Sequence, residues 1–492
     1  MPPRDPAIER RYAWLIFITL WCCYGYFFPK WAEWNQNSRM DLTLAVVEQG
    51  GIAIDDYYNN TGDYAVHGGH IYTDKAPGLS FLGVPVYAAF AWVTDTAVGT
   101  AVLDRASRSG ALAATLSSEG TGLVDDKVRF AAALHATTLW TVSLASAALA
   151  AGLFVFLRRL GLDTRERFAL ALAYGLATIA FPYSTVFYGH QLAAALVFGM
   201  FAVIASVRRS EHSERALWAA GALGGLAVLV DFPSLVLVLL LVVYAMSTLA
   251  PLRTLIRIGV AGAPFAIVLG AYNAAAFGSP FSSSYRYLGR FPEISNSGVL
   301  GFGAPSLDAL VGITVSPYRG LFYYVPFLIV AVPGIVALAR RPGWRTEARL
   351  IAAILAADLL VVACWYDWRG GFAIGPRNLL TIVPFLMVGV GAALTAWRDV
   401  RWAVIGFWSL VGISFGIVWL ASVSGQAFAP ITIGRPLTEL FWPRFLSGDI
   451  ARNAGMALGL PSWVSLFPPL AGIAVSLWLG LKRWPAAAGR LA

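Results

Sequence analysis

Charge is what this sequence has least of. Only 13% of its 492 residues are Asp, Glu, Lys or Arg, about half the share of a soluble domain. Cysteine is scarce as well, and Cys22, Cys23 and Cys364 all lie in predicted membrane spans. This placement argues against a disulfide framework. The sequence also has no long polar stretch, internal repeat or low-complexity segment, which excludes a sizeable soluble domain and a repeat protein.

Apolar residues take the place of charge. They make up 58% of the chain, and the mean hydropathy is +0.66. Apolar runs of about 17 to 25 residues recur along nearly the whole length, and each could cross a bilayer as a helix. The predicted fold class is therefore all-α, a polytopic transmembrane helical bundle. We attribute much of the net charge of +9 to cytoplasmic loops and expect no nucleic-acid partner.

Arginine clusters predict which loops are cytoplasmic. These clusters lie at 158–167, 208–215, 253–257, 340–349 and 398–401, and at Lys482 and Arg483 in the tail. Two spans separate successive clusters, so every cluster after residue 158 falls on the same side of the membrane. Before residue 158, the N-terminal arginines fall on that side only if one apolar segment does not cross. We choose 79–98, which contains Pro85 and Asp95, and expect it to lie on the outer surface or to dip in partway. The prediction is twelve crossings with both termini in the cytoplasm.

Three long regions then fall outside the membrane, at 30–127, 278–318 and 422–463. We divide the chain into a first module, 1–280, which holds the first external loop, and a C-terminal set of helices, 281–492. The expected location is the bacterial plasma membrane, with any polar machinery on the extracytoplasmic face.

The first external loop concentrates polar residues. Residues 37–51 (NSRMDLTLAVVEQGG) predict an amphipathic helix in the membrane interface, with Ser38 and Asp41 at capping-box spacing and Gly50 as its stop. Residues 67–78 (HGGHIYTDKAPG) follow, with two histidines, an acid, a lysine and three glycines. A turn-rich, charged segment beside apolar spans predicts a polar site at the bilayer surface.

These features resemble the first external loop of GT-C glycosyltransferases, in the branch of lipid A aminoarabinose transferases and protein O-mannosyltransferases. The matching residues are Arg39 on the first helix and the run from Tyr72 to Pro77, which reads Y-x-x-K-x-P where the family has Y-x-E-K-P. The resemblance covers the layout of roughly the first 280 residues. It implies an inverting enzyme that moves a hexose or pentose from a polyprenyl-phosphate donor to a lipid, glycan or protein acceptor on the extracytoplasmic face.

The chain departs from the family pattern in two places. The family has its catalytic acid just before the first-helix arginine, where this chain reads NQNSR (35–39), and it has a second acid at the turn where this chain has His190. The acids that remain in the loop are Asp41, Asp55, Asp56 and Asp63. Of these we favour Asp55 and Asp63 as the base that removes a proton from the acceptor hydroxyl.

The leaving group of such a reaction is a lipid phosphate, which needs cations and hydrogen-bond donors around it. Lys75 lies where a headgroup phosphate would be, and Arg39 is on the neighbouring helix. The alternative for Lys75 is an interfacial lysine that reaches towards anionic lipid.

Five further residues on predicted external turns are candidates for substrate binding. An acid such as Asp231 beside the hydrophobic zone is costly and usually functional. His190 can serve as a base or as a hydrogen-bond donor to phosphate. Arginine grips phosphate and aromatic rings stack on sugars, which favours Arg319, Arg377 and Trp368. The alternative for the aromatic residues is an anchor at the membrane interface.

A divalent metal is left open as a cofactor. His67 and His70, close to Asp63, are weak candidate ligands, because two loop histidines three residues apart are common.

Three other functions remain open at the level of sequence. A transporter or flippase for a lipid-linked glycan tends to have charges at the midplane and repeated halves, whereas here the charges lie at span ends. A polymerase or ligase on the outer face would have similar arginine-rich loops. A membrane protein with no chemistry is disfavoured by the cluster of acids, histidines and glycines in one loop.

Overall fold

The apolar runs form helices in the computed structural model, which describes residues 6–30, 33–108 and 127–482. The longer helices in those ranges are α1 (Pro6–Tyr26), α2 (Trp34–Leu44), α3 (Gly78–Thr94), α4 (Ala97–Ser107), α5 (Lys127–Leu160), α6 (Thr164–Ala177), α7 (Gly189–Arg208), α8 (Leu217–Val230), α9 (Ser234–Thr248), α10 (Pro251–Phe277), α11 (Pro326–Arg340), α12 (Arg345–Cys364), α13 (Arg377–Ala396), α14 (Arg401–Val423) and α15 (Val464–Leu481). The prediction of an all-α membrane protein is confirmed.

Short helical segments and one hairpin complete the described structure. The helical segments are Ala45–Gln49, Tyr58–Asn60, Ala180–Tyr183, Glu214–Ala216, Ser284–Arg286, Pro292–Asn296, Leu307–Thr314, Leu321–Tyr324, Leu437–Phe441, Trp442–Leu446 and Ala454–Ala457. The strands are β1 (Tyr64–His67) and β2 (His70–Thr73). Parts of the predicted first external loop (31–32 and 109–126), Arg483 and both termini lie outside the described residues.

Six of the described helices are long and apolar enough to cross a membrane: α5, α7, α10, α13, α14 and α15. The helices α9 and α11 are apolar but shorter. The pair α3 and α4 meets at 93°, so it adds a seventh span only if the bent pair crosses as a unit. Twelve crossings, and the interfacial or re-entrant path for 79–98, therefore stay predictions.

Burial separates the centre of the bundle from its edge. In the most apolar stretch of α13, 89% of residues are buried inside the protein, compared with 11% for α10. We infer that α13 is the central helix and that α10 faces lipid, because an apolar helix left uncovered by protein needs an apolar solvent.

Glycines allow the closest helix contacts. A side chain at Gly334 in α11 would collide with the backbone of Gly389 in α13, and one at Gly221 in α8 would collide with Ile258 in α10. Small residues let helices approach in lipid, where packing replaces the hydrophobic effect as the force between them.

Ion pairs join the arginine-rich turns at one end of the bundle. The carboxylate of Glu347, at the start of α12, is fully buried between Arg208 and Arg209, at the end of α7. Four more pairs connect neighbouring turns: Arg159–Glu211, Arg167–Glu9, Arg257–Glu214 and Arg398–Glu166. The clusters that the sequence predicts to be cytoplasmic thus lie together.

The structure corrects the prediction for α2. The helix starts at Trp34, and Ser38 lies inside it, where its hydroxyl is hydrogen-bonded to the Thr73 hydroxyl at 2.6 Å. Residues 35–44 are all buried, so the capping-box prediction was wrong and α2 is packed within protein. The predicted stop is confirmed, because Gly50 has a φ of +66° in the left-handed region.

The motif HGGH forms the turn of the hairpin. His67 pairs with His70 across the two strands, and Gly68 and Gly69 between them have φ values of +60° and +84°. Two consecutive positive φ angles fit a tight two-residue hairpin loop, which glycine adopts without strain. Strand β1 also pairs with the segment after α10, where Val66 N donates to Tyr287 O at 2.7 Å.

The positions of the two ends predict a labelling pattern. In a chain with Cys22, Cys23 and Cys364 replaced by serine, we compare Glu293→Cys with His212→Cys, both exposed. His212 adjoins the arginine-rich turns, whereas Glu293 lies at the other end. We expect a membrane-impermeant maleimide to label residue 293 in intact cells and residue 212 only after permeabilisation. The reverse pattern would contradict the predicted orientation.

Candidate functional site

A cavity lies at the end of the bundle opposite the arginine-rich turns. Its volume is about 900 Å³ when its open mouth is included. It is surrounded by α2 and the loop after it, by the starts of α7, α9 and α13, and by the ends of α8 and α12. Five of the residues that the sequence singles out line this one space: Arg39, Lys75, His190, Asp231 and Arg377.

Lys75 lies between two carboxylates. Its Nζ is 2.8 Å from Asp63 Oδ2 and 2.9 Å from Asp74 Oδ2. Burial lowers the pKa of Lys75, but the two carboxylates more than offset this and hold the pKa above its usual range. Burial raises the pKa of Asp74 to about 6. Lys75 is therefore a firmly charged ammonium group at the cavity wall.

Arg39 projects from α2 and is almost fully buried. Its Nε donates to Asn35 Oδ1 at 3.1 Å and its Nη1 donates to Ala76 O at 2.9 Å. Gly189, the first residue of α7, lies so close that a Cβ there would be 3.1 Å from Arg39 Nη2 and 2.8 Å from Val230 O. The absence of a side chain at Gly189 thus lets the guanidinium reach the cavity.

His190 and Asp231 form a pair across two helix ends. His190 Nδ1 is 3.2 Å from Asp231 Oδ1, and both side chains are largely buried. Asp231 follows α8 directly, and the Ser234 hydroxyl lies 3.5 Å from its Oδ2. The sequence predicts both residues on external turns, and the structure brings them together in the cavity wall.

Arg377 is held through a tyrosine. Its guanidinium lies 5.3 Å from the centre of the Tyr188 ring, a distance that fits a cation–π contact. The Tyr188 hydroxyl donates to Glu33 Oε2 at 2.9 Å, and Phe428 N donates to Glu33 Oε1 at 2.9 Å. Burial raises the pKa of Glu33 to about 7, against hydrogen bonds that lower it. Arg377 Nε is buried without a partner among the described residues.

Two acids in the cavity wall are absent from the sequence prediction. Asp367 lies in the turn between α12 and α13, and burial raises its pKa while Arg377 lowers it. Asp358 lies within α12. A signal for Asp358 was present, because an acid inside an apolar helix is costly and usually functional. Asp367 lies in the segment CWYDWRGG (364–371), where aromatic residues and Arg369 are the stronger sequence signal.

Other predicted residues lie away from the cavity wall. Asp55 forms an exposed pair with His70, at 2.7 Å, and also accepts a hydrogen bond from Ile71 N. The other loop histidine, His67, packs its ring 4.5 Å from that of Tyr287. Asp63 touches the cavity only through Lys75. Asp55 does not line the cavity, because its carboxylate bonds within the hairpin, and its role as base stays a prediction.

Arg319 lies outside the cavity wall, and its role in substrate binding stays a prediction. It is fully buried, and its guanidinium donates to three backbone carbonyls, those of Gly371, Ala373 and Ala429, at 2.6 to 3.0 Å. These bonds join two segments that the sequence predicts to be external, and they occupy most of the donors of the guanidinium. Trp368 packs against Gly312 and, edge-on, against Tyr318, whereas its neighbour Trp365 is the tryptophan that lines the cavity.

In the described ranges, no group of three or more His, Cys, Asp or Glu side chains is arranged to hold a metal ion. His67 and His70 point to different partners, the aromatic Tyr287 and the acid Asp55.

Comparisons with known proteins give no further guide to the site. No family model matches the chain, and no curated protein and no solved structure shows significant similarity to it. The functional assignment depends on the chemistry of the cavity and on the resemblance of the first external loop.

The contacts of Arg319 predict a role in stability. Arg319→Met would remove the donor from the carbonyls of Gly371 and Ala373, whereas Ala429 O would keep its bond from Ala373 N. Each acceptor left without a donor costs about 1–3 kcal/mol. We expect the thermal unfolding temperature in detergent to fall by several degrees, while Arg435→Met, at an exposed site, leaves it unchanged. An unchanged unfolding temperature combined with weaker substrate binding would instead support the role that the sequence suggests.

Proposed function

We propose that the chain is an integral-membrane glycosyltransferase of GT-C type that takes a sugar from a polyprenyl-phosphate donor. The observation that carries the proposal is the grouping of Arg39, Lys75 and Arg377 around one cavity whose wall also contains Asp367, an acid without an ion pair among the described residues. The three cations come from separate parts of the chain, so their convergence is a property of the fold and not of one basic stretch.

The cations suit a phosphate leaving group. When the acceptor oxygen attacks the anomeric carbon, the bond from that carbon to the phosphate oxygen breaks and the phosphate keeps the electron pair. Arg39 and Arg377 can bind phosphate oxygens through paired donors, and Lys75 adds a point charge. Lys75 binds Asp63 and Asp74 in the described structure. A phosphate that displaces Asp63 would free a carboxylate beside the reacting centre.

The proton of the acceptor hydroxyl needs a carboxylate within reach. Asp367 is our first choice for this base, because it lines the cavity and, among the described residues, forms no ion pair within 4 Å. Asp63 is the second choice, in the state where it has left Lys75. Asp231 is already paired with His190, and we assign this pair to orientation of the substrate.

The polarity of the bundle supports an extracytoplasmic site. Helix α7 has His190 in its first turn and Arg208 at its end, and it is about 30 Å long at 1.5 Å per residue. The cavity and the arginine-rich turns are thus about one bilayer core apart. If the arginine-rich turns are cytoplasmic, the cavity opens at the opposite surface, where a lipid-linked donor presents its headgroup.

A flippase and a glycan polymerase or ligase are the competing functions. A flippase would need no base, and an enzyme with a diphosphate-linked donor would not use monophosphate donors. Transfer from a monophosphate donor that depends on a cavity carboxylate would distinguish the proposed enzyme from both.

The first prediction for function concerns the cations. We expect Lys75→Ala and Arg377→Ala to lower transfer from radiolabelled polyprenyl-phosphate sugars by about 100-fold or more, since each removes charge from the leaving phosphate. Arg286→Ala, at an exposed position outside the cavity wall, is the matched control. Equal activity of all three variants at equal expression would contradict the phosphate assignment.

The second prediction separates the carboxylates. Asp367→Asn should abolish transfer while donor binding persists, because the change keeps the shape and removes the basic oxygen. Asp55→Asn and Asp308→Asn, both outside the cavity wall, should leave transfer within about twofold of wild type. If Asp63→Asn abolishes transfer and Asp367→Asn does not, Asp63 is the base. If every variant transfers normally, none of these carboxylates is.

A further inference from the structure

Asp358 is a buried acid that the proposed mechanism does not use. Asp358 lies within α12, is 4% exposed, and forms part of the cavity wall. Its Oδ2 accepts a hydrogen bond from the Thr381 hydroxyl at 3.3 Å. Among the described residues it has no ion pair within 4 Å, so the cations of the cavity do not neutralise it.

The neighbours of Asp358 favour a neutral carboxyl group. Val361 and Val362 follow it on α12, and Phe232 and Pro233 line the same cavity. Asp231 lies in the same cavity wall and has the same sign of charge. An acid that is buried without a cation takes up a proton more readily. A protonated carboxyl group both donates and accepts a hydrogen bond.

A sugar hydroxyl has the same two capacities. Thr381 adds a second hydroxyl beside Asp358, so the two side chains together offer donors and acceptors on one patch of the wall. Buried polar groups of this kind discriminate strongly between a substrate with a hydroxyl and an analogue without it, because the analogue leaves them unpaired. Arg39, Lys75 and Arg377 have the chemistry for phosphate, whereas this patch has the chemistry for an uncharged polar group.

We propose that Asp358 and Thr381 form a subsite that binds a hydroxyl group of the donor's sugar, and that the donor sugar is uncharged. This inference rests on the proposed function, since it assumes a sugar-phosphate donor in the cavity. A sugar with a carboxylate is excluded by repulsion from Asp231 and by the lack of a cation at Asp358. Asp358 is thus a specificity-determining residue rather than the base.

The experiment measures donor binding and transfer separately with the purified full-length protein in detergent. The probes are bare polyprenyl phosphate, polyprenyl-phosphate hexoses, and the corresponding polyprenyl-phosphate uronic acid. We expect the hexose to strengthen binding over the bare lipid by about tenfold or more, and the uronic acid to give no such gain. Asp358→Val and Thr381→Val should bind bare lipid normally and lose the gain from the hexose. Asp358→Asn, which keeps both hydrogen-bonding capacities, should retain most of it.

The outcomes of this experiment separate the two proposals. If wild type binds the hexose lipid more tightly than the bare lipid but transfers nothing, the glycosyltransferase function fails and the subsite stands. If Asp358→Val keeps the full gain, the subsite is wrong even though transfer occurs. Loss of the gain in Asp358→Asn as complete as in Asp358→Val, with preference for a sugar that has an amino group, would show an ionised carboxylate and overturn the inference. Failure of wild type to bind any of the lipids would overturn both.

Discussion

The cost of burying positive charge governs how this structure is assembled around its cavity. A cation removed from water must find compensating groups nearby, and Arg39, Lys75 and Arg377 each have a different set of them. Lys75 has two acids from its own loop, Arg39 has an amide and a carbonyl, and Arg377 has an aromatic ring supported by Glu33. The contacts from Arg377 through Tyr188 to Glu33 therefore fix the residue before α2 against the starts of α7 and α13.

The two ends of the bundle meet the same cost in different ways. At the arginine-rich end, carboxylates such as Glu347 pair with guanidinium groups, and these pairs join neighbouring turns. At the cavity end, cations and acids share a wall around open volume, and Asp358 and Asp367 have no ion pair among the described residues. Charges that are all paired with one another stabilise turns, whereas charges left without an ion pair are available for a ligand. This difference is the physical reason for seeking chemistry at the cavity end.

The sequence predicted the fold class and part of the site, each for an identifiable reason. Apolar run length predicts membrane helices directly, and charge beside an apolar run points to Lys75, Asp231 and His190. The sequence does not distinguish the role of Arg377 from that of Arg319, because both lie in glycine- and aromatic-rich turns. Only tertiary contacts show that the Arg319 guanidinium donates to backbone carbonyls. The sequence predicts the start of α2 at the wrong residue, because burial on every side, a tertiary effect, outweighs the capping pattern at Ser38.

Gly189 has a consequence for how distant relatives of this protein could be recognised. Any larger residue there would push against the Arg39 guanidinium and the end of α8, and Gly78 is similarly confined by the backbone of Leu229. A charged residue can be replaced by another that reaches the same point from a different position, but a missing side chain has no substitute. Among proteins built on the same cavity, we expect these two empty positions to persist where the acids and bases around them have moved.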